Sequence, residues 1–297
     1  MPLYGGVEGG GTKFVCAVGS GPGQMIDELR FPTTTPDETL GKVVSFFRKY
    51  MSAPQRLEGL GVATFGPIDP VVGSSTYGRI LATPKAGWAN CDIVGILAQE
   101  LRLPIAFDTD VNGAALSEAK WGAGQNCGSV LYITIGTGIG GGFYTQGGVL
   151  HGLLHPEMGH IMMPHDRQKD PFAGSCPFHG DCFEGLASGP AIEKRWGQKA
   201  ETLPADHPAW DIETDHIANA LVTYIVTLSP QKIILGGGVA QQSHILPIVR
   251  SKVQKLLNGY VQSGNVTTES IEDYIVLPGL GNQAGVLGAL ALAMFAS

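Results

Sequence analysis

Charge is scarce in this sequence: Asp, Glu, Lys and Arg make up 15% of its 297 residues, with 19 basic against 26 acidic side chains and a formal net charge of −7. It has no basic run, which argues against a nucleic-acid backbone or an anionic membrane as partner. Long apolar stretches are missing too, and the longest, Ala284 to Ala296, is too short to span a bilayer. The opening MPLYGGVEGGGTKF lacks the charged and then apolar segments of a secretory signal. The expectation is a soluble, cytoplasmic protein with no nucleic-acid and no membrane partner. Cysteines are few and odd in number: of five, Cys16, Cys91 and Cys127 are scattered, while Cys176 and Cys182 sit close together beside histidines. That distribution favours a metal over a disulfide framework. A Walker phosphate loop is also absent, since no glycine and four spacers precede Gly-Lys-Ser/Thr.

Glycine, by contrast, is abundant: 43 glycines and 19 prolines are spread through a chain that is 43% hydrophobic, the signature of a turn-rich globular protein. The length suits one large domain or two of ordinary size. Apolar alternation from Gly5 to Val18 predicts a hairpin turning at Gly9–Thr12, and Val130–Tyr144 repeats the arrangement around Thr137, which suggests a diverged internal duplication. Between them the pattern predicts a helix over Asp37–Tyr50, a strand over Leu57–Thr64, an amphipathic segment over Asp92–Leu101, a strand over Pro104–Phe107 and a helix over Gly113–Trp121. Such alternation predicts α/β layers. From Tyr144 to Asp181 the chain is rich in Gly, His and Pro and too long to be an idle loop. Helices are expected again at Pro190–Trp196, Asp215–Leu228, Gln241–Leu257 and Gly285–Phe295, with a short strand at Lys232–Leu235.

Three glycine turns follow apolar strands: Gly9-Gly10-Gly11-Thr12-Lys13, Gly136-Thr137-Gly138 with the glycines after it, and Gly236-Gly237-Gly238. Glycine lets a phosphate chain approach backbone N–H groups unobstructed, although each turn alone also suits an ordinary hairpin. Residues 136, 138 and 141 satisfy G-x-G-x-x-G, but strand and turn follow rather than a helix, so a dinucleotide fold is excluded. His160, Cys176, His179 and Cys182 offer two imidazoles and two thiolates, a set suited to tetrahedral zinc. Asp108-Thr109-Asp110-Val111-Asn112 closes a strand and opens a helix, placing a carboxylate where it stays ionised and ready to accept a proton. Spacing does not choose between Asp108 and Asp110, and a helix cap would look the same. Glu157 lies three residues before His160, so a metal that fixes His160 would fix Glu157 nearby and give polar groups suited to sugar hydroxyls.

These segments in this order, GGGTK, TDVNGAAL, ITIGTGIGGG, HPEMGHI, the Cys/His knuckle, CFEGLASGPA and IILGGGV, resemble the ROK family of sugar kinases and repressors, over nearly the whole chain. The resemblance implies a two-domain α/β actin-like ATPase (ribonuclease H-like) fold with an interdomain cleft that closes on substrates. Residues 1–115 with 284–297 would form the smaller domain, with the first phosphate loop and the catalytic Asp; residues 116–283 would form the larger one, with zinc, the second phosphate loop, the adenosine segment and the dimer contact.

By the same resemblance Asp110 is the general base, Glu157, His160, Glu184 and Thr109 meet the sugar, and His160 also binds zinc through its other ring nitrogen. Gly11, Thr12, Lys13, Gly136, Thr137, Gly138, Gly189 and Pro190 are expected near the ATP phosphates or nucleotide, and Gly236, Gly237 and Gly238 at the adenosine. Zn²⁺ would order the sugar pocket and Mg²⁺ accompany ATP in a homodimer. Cys-x-x-His-x-x-Cys in place of a three-cysteine knuckle, Thr109 in place of Asn, Thr76-Tyr77-Gly78 and the 82–88 stretch resemble the bacterial fructokinase branch. The implied reaction is ATP-dependent phosphorylation of a hexose, D-fructose to fructose 6-phosphate, with glucose or mannose as alternative substrates. A non-catalytic sugar-sensing protein of the same family is the rival of another class.

Overall fold

The computed structural model describes residues 1–52, 56–83 and 85–295; Pro84 of the 82–88 stretch and residues 296–297 of the expected smaller domain lie outside them. The first sheet contains β1 (Leu3–Gly9), β2 (Lys13–Gly19), β3 (Met25–Pro32), β4 (Leu57–Thr64) and β5 (Ile105–Thr109) in the order β3-β2-β1-β4-β5. β1 runs antiparallel to β2 and parallel to β4, which is parallel to β5. The expected hairpin is therefore present, with its turn between Gly9 and Lys13. β3 has no apolar alternation for the sequence to reveal, because it is an edge strand carrying exposed Glu28 and Arg30.

Helix α1 (Pro36–Phe47) starts where Thr35 caps Glu38 N, and it buries Leu40, Val43, Val44 and Phe47 at helical spacing. α2 (Ile93–Leu101) is capped by Asp92. α3 spans Asp110–Trp121, so it begins ahead of the expected Gly113, because the Thr109 hydroxyl accepts the Asn112 N–H and caps it there. α10 (Ala284–Phe295) is apolar all round and correspondingly buried. It approaches β4 so closely that a Cβ on Gly61 would collide with the Ala289 carbonyl, which explains a glycine in mid-strand.

The second sheet contains β6 (Ser129–Ile135), β7 (Ile139–Thr145), β8 (Gly148–Val149), β9 (Lys232–Gly236) and β10 (Ile275–Val276) in the order β10-β9-β6-β7-β8. Its helices are α4 (Phe183–Ala187), α5 (Gly189–Trp196), α6 (Ala209–Leu228), α7 (Ile245–Leu257), α8 (Gly264–Thr267) and α9 (Ile271–Tyr274). Read from the other end, this sheet repeats the first: third, second, first, fourth and fifth strands in turn, with the first, fourth and fifth parallel. The internal duplication suggested by the two hairpins is thus visible as a repeated topology.

Residues 1–126, 142–156 and those from Gly279 onward form one compact unit, and 127–141 with 157–278 another. Relative to boundaries at 115/116 and 283/284, the segments 116–126, 142–156 and 279–283 group with the first unit. Glu118, fully buried in α3, ties two of these segments together by accepting the N–H groups of Ala123, Gly279 and Leu280 at 2.7–3.0 Å.

Candidate active site and metal centre

In the first unit the register of the parallel strands sets Gly9 beside Thr64 and Thr64 beside Thr109, all at carboxyl ends. That edge is where open α/β sheets take ligands. It places the loop of Gly11, Thr12 and Lys13 two strands from Thr109 and Asp110, about 10 Å at the usual strand spacing. Gly9 is demanded by packing, since a Cβ there would fall 2.6 Å from Thr64 Oγ1. Gly11 is different: a Cβ would meet nothing within 4 Å, and its backbone needs no positive φ. Neither packing nor dihedral accounts for it; Thr12 and Lys13 beside it are exposed.

The two aspartates that spacing leaves undecided differ sharply. Asp108 is 2% exposed, and its Oδ1 accepts from Thr109 N at 2.7 Å and from Asn112 Nδ2 at 2.8 Å, while Oδ2 lies 2.8 Å from His151 Nε2. Asp110 is half-buried in the first turn of α3, with Oδ1 accepting from Val111 N at 2.9 Å. Asp108 is buried among internal partners; Asp110 stands in the first turn of α3, at the helix N-terminus.

In the second unit β6 and β9 are parallel neighbours, and their carboxyl ends bring the other glycine turns together. Gly136 accepts from Gly189 N at 2.7 Å, joining the second turn to the start of α5, where Ser188 caps the helix and Pro190 occupies its first turn. Gly237 adopts φ +86° against the Ile135 backbone, and Val239 N donates to Ile135 O at 3.0 Å, which fastens the third turn to the same strand end. Gly136 and Gly238, like Gly11, would have open space around a Cβ. Thr137 is exposed on this surface.

Glu157, His160 and Glu184 gather beside it. Glu184 Oε2 accepts from Ile139 N at 2.9 Å, immediately after the second turn. Glu157 is pushed up to about 7, chiefly by loss of water around its carboxyl and then by the charge of Glu184, although the residue as a whole is exposed. His160 N donates to Glu157 O at 2.9 Å, and the Tyr224 hydroxyl donates to Met158 O between them.

His160, Cys176, His179 and Cys182 present donor atoms that all lie within 4.8 Å of one another. His160 Nδ1 is 3.5 Å from Cys182 Sγ and 3.8 Å from Cys176 Sγ, and His179 Nδ1 is 3.6 Å from Cys176 Sγ. Nitrogen and sulfur bound tetrahedrally to one zinc at ordinary bond lengths stand about 3.6 Å apart, so the donor set fits that ion in both chemistry and spacing. Both cysteines are free thiols. Reciprocal backbone bonds between Cys176 and Gly180 shape the knuckle, with Gly180 at φ +67°. His160 turns Nδ1 toward this cluster, which leaves Nε2 on the opposite side of its ring.

Two polar features escape sequence reasoning. His151 and His155 lie in the irregular stretch and meet partners remote in sequence: His151 meets Asp108, and His155 Nε2 accepts from Ile68 N at 3.1 Å. Asp69, 2% exposed, accepts from Ser74 Oγ, Thr76 Oγ1 and Val71 N, building the turn that carries Thr76-Tyr77-Gly78. Trp88, fully buried, anchors the 82–88 stretch by donating Nε1–H to Thr34 O at 2.9 Å.

The ROK family pattern matches residues 4–295, and the chain belongs to this family. It is 44% identical to the fructokinase of Streptococcus mutans over 294 residues, covering 98% of this chain and 97% of that protein. It is likewise 44% identical to the fructokinase of Zymomonas mobilis, over 300 residues covering 99% and 97%. Among solved structures, the ROK hexokinase of Thermus thermophilus superposes with a TM-score of 0.81 at 26% identity, covering 99% of this chain and 98% of that one. The fold is accordingly the actin-like ATPase fold of ROK sugar kinases, and the repeated sheet topology is its duplicated core.

Proposed function

We propose that this protein phosphorylates a hexose at the expense of ATP, with D-fructose as substrate and fructose 6-phosphate as product. The observation that carries the reaction is the half-buried Asp110 at the start of α3, on the same sheet edge as the first glycine turn. Fructose in particular rests on the near-full-length similarity to fructokinases. Asp110 takes the proton of the sugar hydroxyl as that oxygen bonds to the γ-phosphorus; the bond from γ-phosphorus to the bridging oxygen breaks, and ADP leaves with its electron pair. Positioning and charge neutralisation contribute most of the rate.

Thr109, Glu157, His160 and Glu184 hold sugar hydroxyls. The turns of Gly11, Thr12 and Lys13 and of Gly136, Thr137 and Gly138 hold phosphates, and Gly189, Pro190 and Gly236–Gly238 receive the nucleoside. Residues 1–115 with 284–297 thus supply the base and first phosphate loop, and 116–283 the remaining contacts. Zinc held by His160, Cys176, His179 and Cys182 organises the segment that carries the sugar contacts. Mg²⁺ accompanying ATP offsets phosphate charge. The active form is a cytoplasmic homodimer.

A panel of hexoses in a coupled ADP-release assay tests the reading. Fructose should give stoichiometric ADP, ahead of glucose and mannose; no turnover with any hexose would reject it. Asp110→Asn should lower kcat by roughly 10²–10⁴-fold with zinc content unchanged; full turnover in that variant would remove Asp110 from the reaction. The rival, a sugar-sensing protein without activity, would bind fructose and release no ADP.

A further inference from the structure

Asp108 takes no part in the reaction as described, yet a carboxyl group 2% exposed needs partners for its buried oxygens. Its three partners are specific. Oδ1 binds the N–H of Thr109 and the side-chain amide of Asn112, the residues just before and shortly after Asp110, while Oδ2 binds His151 Nε2 at 2.8 Å. Thr109 Oγ1 closes a ring by accepting Asn112 N at 3.1 Å. One buried carboxylate therefore clamps the chain on both sides of the proposed base, and a histidine from the 142–156 segment of the same unit holds that carboxylate from behind.

We propose that His151 is a positioning residue: through Asp108 it fixes Thr109 and Asn112, and hence the first helical turn that aims the Asp110 carboxylate. This rests on the reading of Asp110 as the base. Other groups face the pair. His155, four residues on, is pushed down by burial and accepts from Ile68 N; Tyr77 faces Asp108, and burial and then that charge push its hydroxyl up. Hydrogen bonding to Asp108 raises His151 above the ordinary imidazole range, so its cationic form persists to higher pH than a free histidine's. Loss of that proton turns an ion pair into a hydrogen bond from a neutral imidazole to the carboxyl group, and that weaker bond loosens the clamp.

The test is kinetics of the full-length zinc-loaded protein carrying His151→Ala, His151→Gln, Asp108→Asn with His151→Ala, or Asp110→Asn, with circular dichroism confirming the fold. His151→Ala should lower kcat about tenfold or more while KM for ATP stays unchanged. His151→Gln, whose amide can still donate to Asp108, should stay within about threefold of wild type. It should also lose the alkaline decline of kcat that is expected of wild type above the ordinary histidine range. The double variant should be no worse than His151→Ala, because both changes act on one device. Wild-type kcat in His151→Ala alongside a dead Asp110→Asn would overturn the inference and leave the base intact, as would an equal loss in the Gln and Ala variants. Wild-type turnover in Asp110→Asn would instead overturn the base reading itself.

Discussion

Asp108 and Asp110 show what a single residue's surroundings decide. The two lie on successive elements, and their spacing in the chain treats them alike; the distinction appears only in partners contributed by His151 and Asn112. No sequence pattern reports such a contact, since a lone histidine in a Gly- and Pro-rich stretch carries no periodicity. The metal donors were legible because three of them fall within one tight knuckle, so local spacing carried the information. Glu157 adds a pH dependence. Its folded carboxyl sits near 7, above the unfolded carboxylate range, so the folded chain holds this proton more tightly. Below that unfolded range both states are protonated and the group contributes nothing; between that range and about 7 the unfolded chain ionises while the folded one stays protonated, so stability falls, and above about 7 the penalty is complete. Glu157→Gln should therefore flatten the decline in unfolding stability between pH 5 and 7 that urea titrations of the ligand-free protein would show. An unchanged slope would mean that Glu157 titrates normally.

At the scale of elements, strands with apolar alternation and the bodies of the longer helices could be read from the sequence, while β3 and the first turns of α3 and α6 could not. An edge strand has one sheet neighbour and keeps its charges in water, and α6 begins at Ala209, where Trp210 is buried and the His207 ring accepts the Ala209 N–H, contacts that no periodicity reports. The glycine turns separate structural from functional glycines. Gly237, at φ +86° and pressed on Ile135, is a backbone necessity, and Gly237→Ala should destabilise the fold by about 1–3 kcal/mol in thermal melts. Gly136 has open space and no such dihedral, so Gly136→Ala should stay within about 0.5 kcal/mol of wild type while raising KM for ATP. Equal effects on both readouts in the two variants would erase the distinction. The knuckle makes a parallel case: Cys176→Ser or Cys182→Ser should abolish about one zinc per chain by elemental analysis. It should also lower the melting temperature, since structural zinc contributes on the order of 10 kcal/mol to such segments.

For the molecule as a whole, the duplicated α/β core was legible in outline because both hairpins repeat one glycine-turn pattern, whereas the pairing of β1 with β4 and of β6 with β9 joins residues too far apart for local pattern to reveal. The same whole-chain property offers a way to separate binding from turnover. A ligand that binds only the folded state stabilises it by RT ln(1 + [L]/Kd), about 2.7 kcal/mol at a hundredfold excess over Kd. Fructose and Mg²⁺–ADP should each raise the melting temperature of wild type, and should do so by similar amounts in Asp110→Asn, because a carboxamide at that position removes the proton acceptor while keeping its size. That variant would then bind both ligands and release no product. If its shifts vanish together with turnover, Asp110 serves binding rather than proton transfer; if wild type shows a shift with fructose yet never releases ADP with any hexose, the protein senses the sugar and does not phosphorylate it.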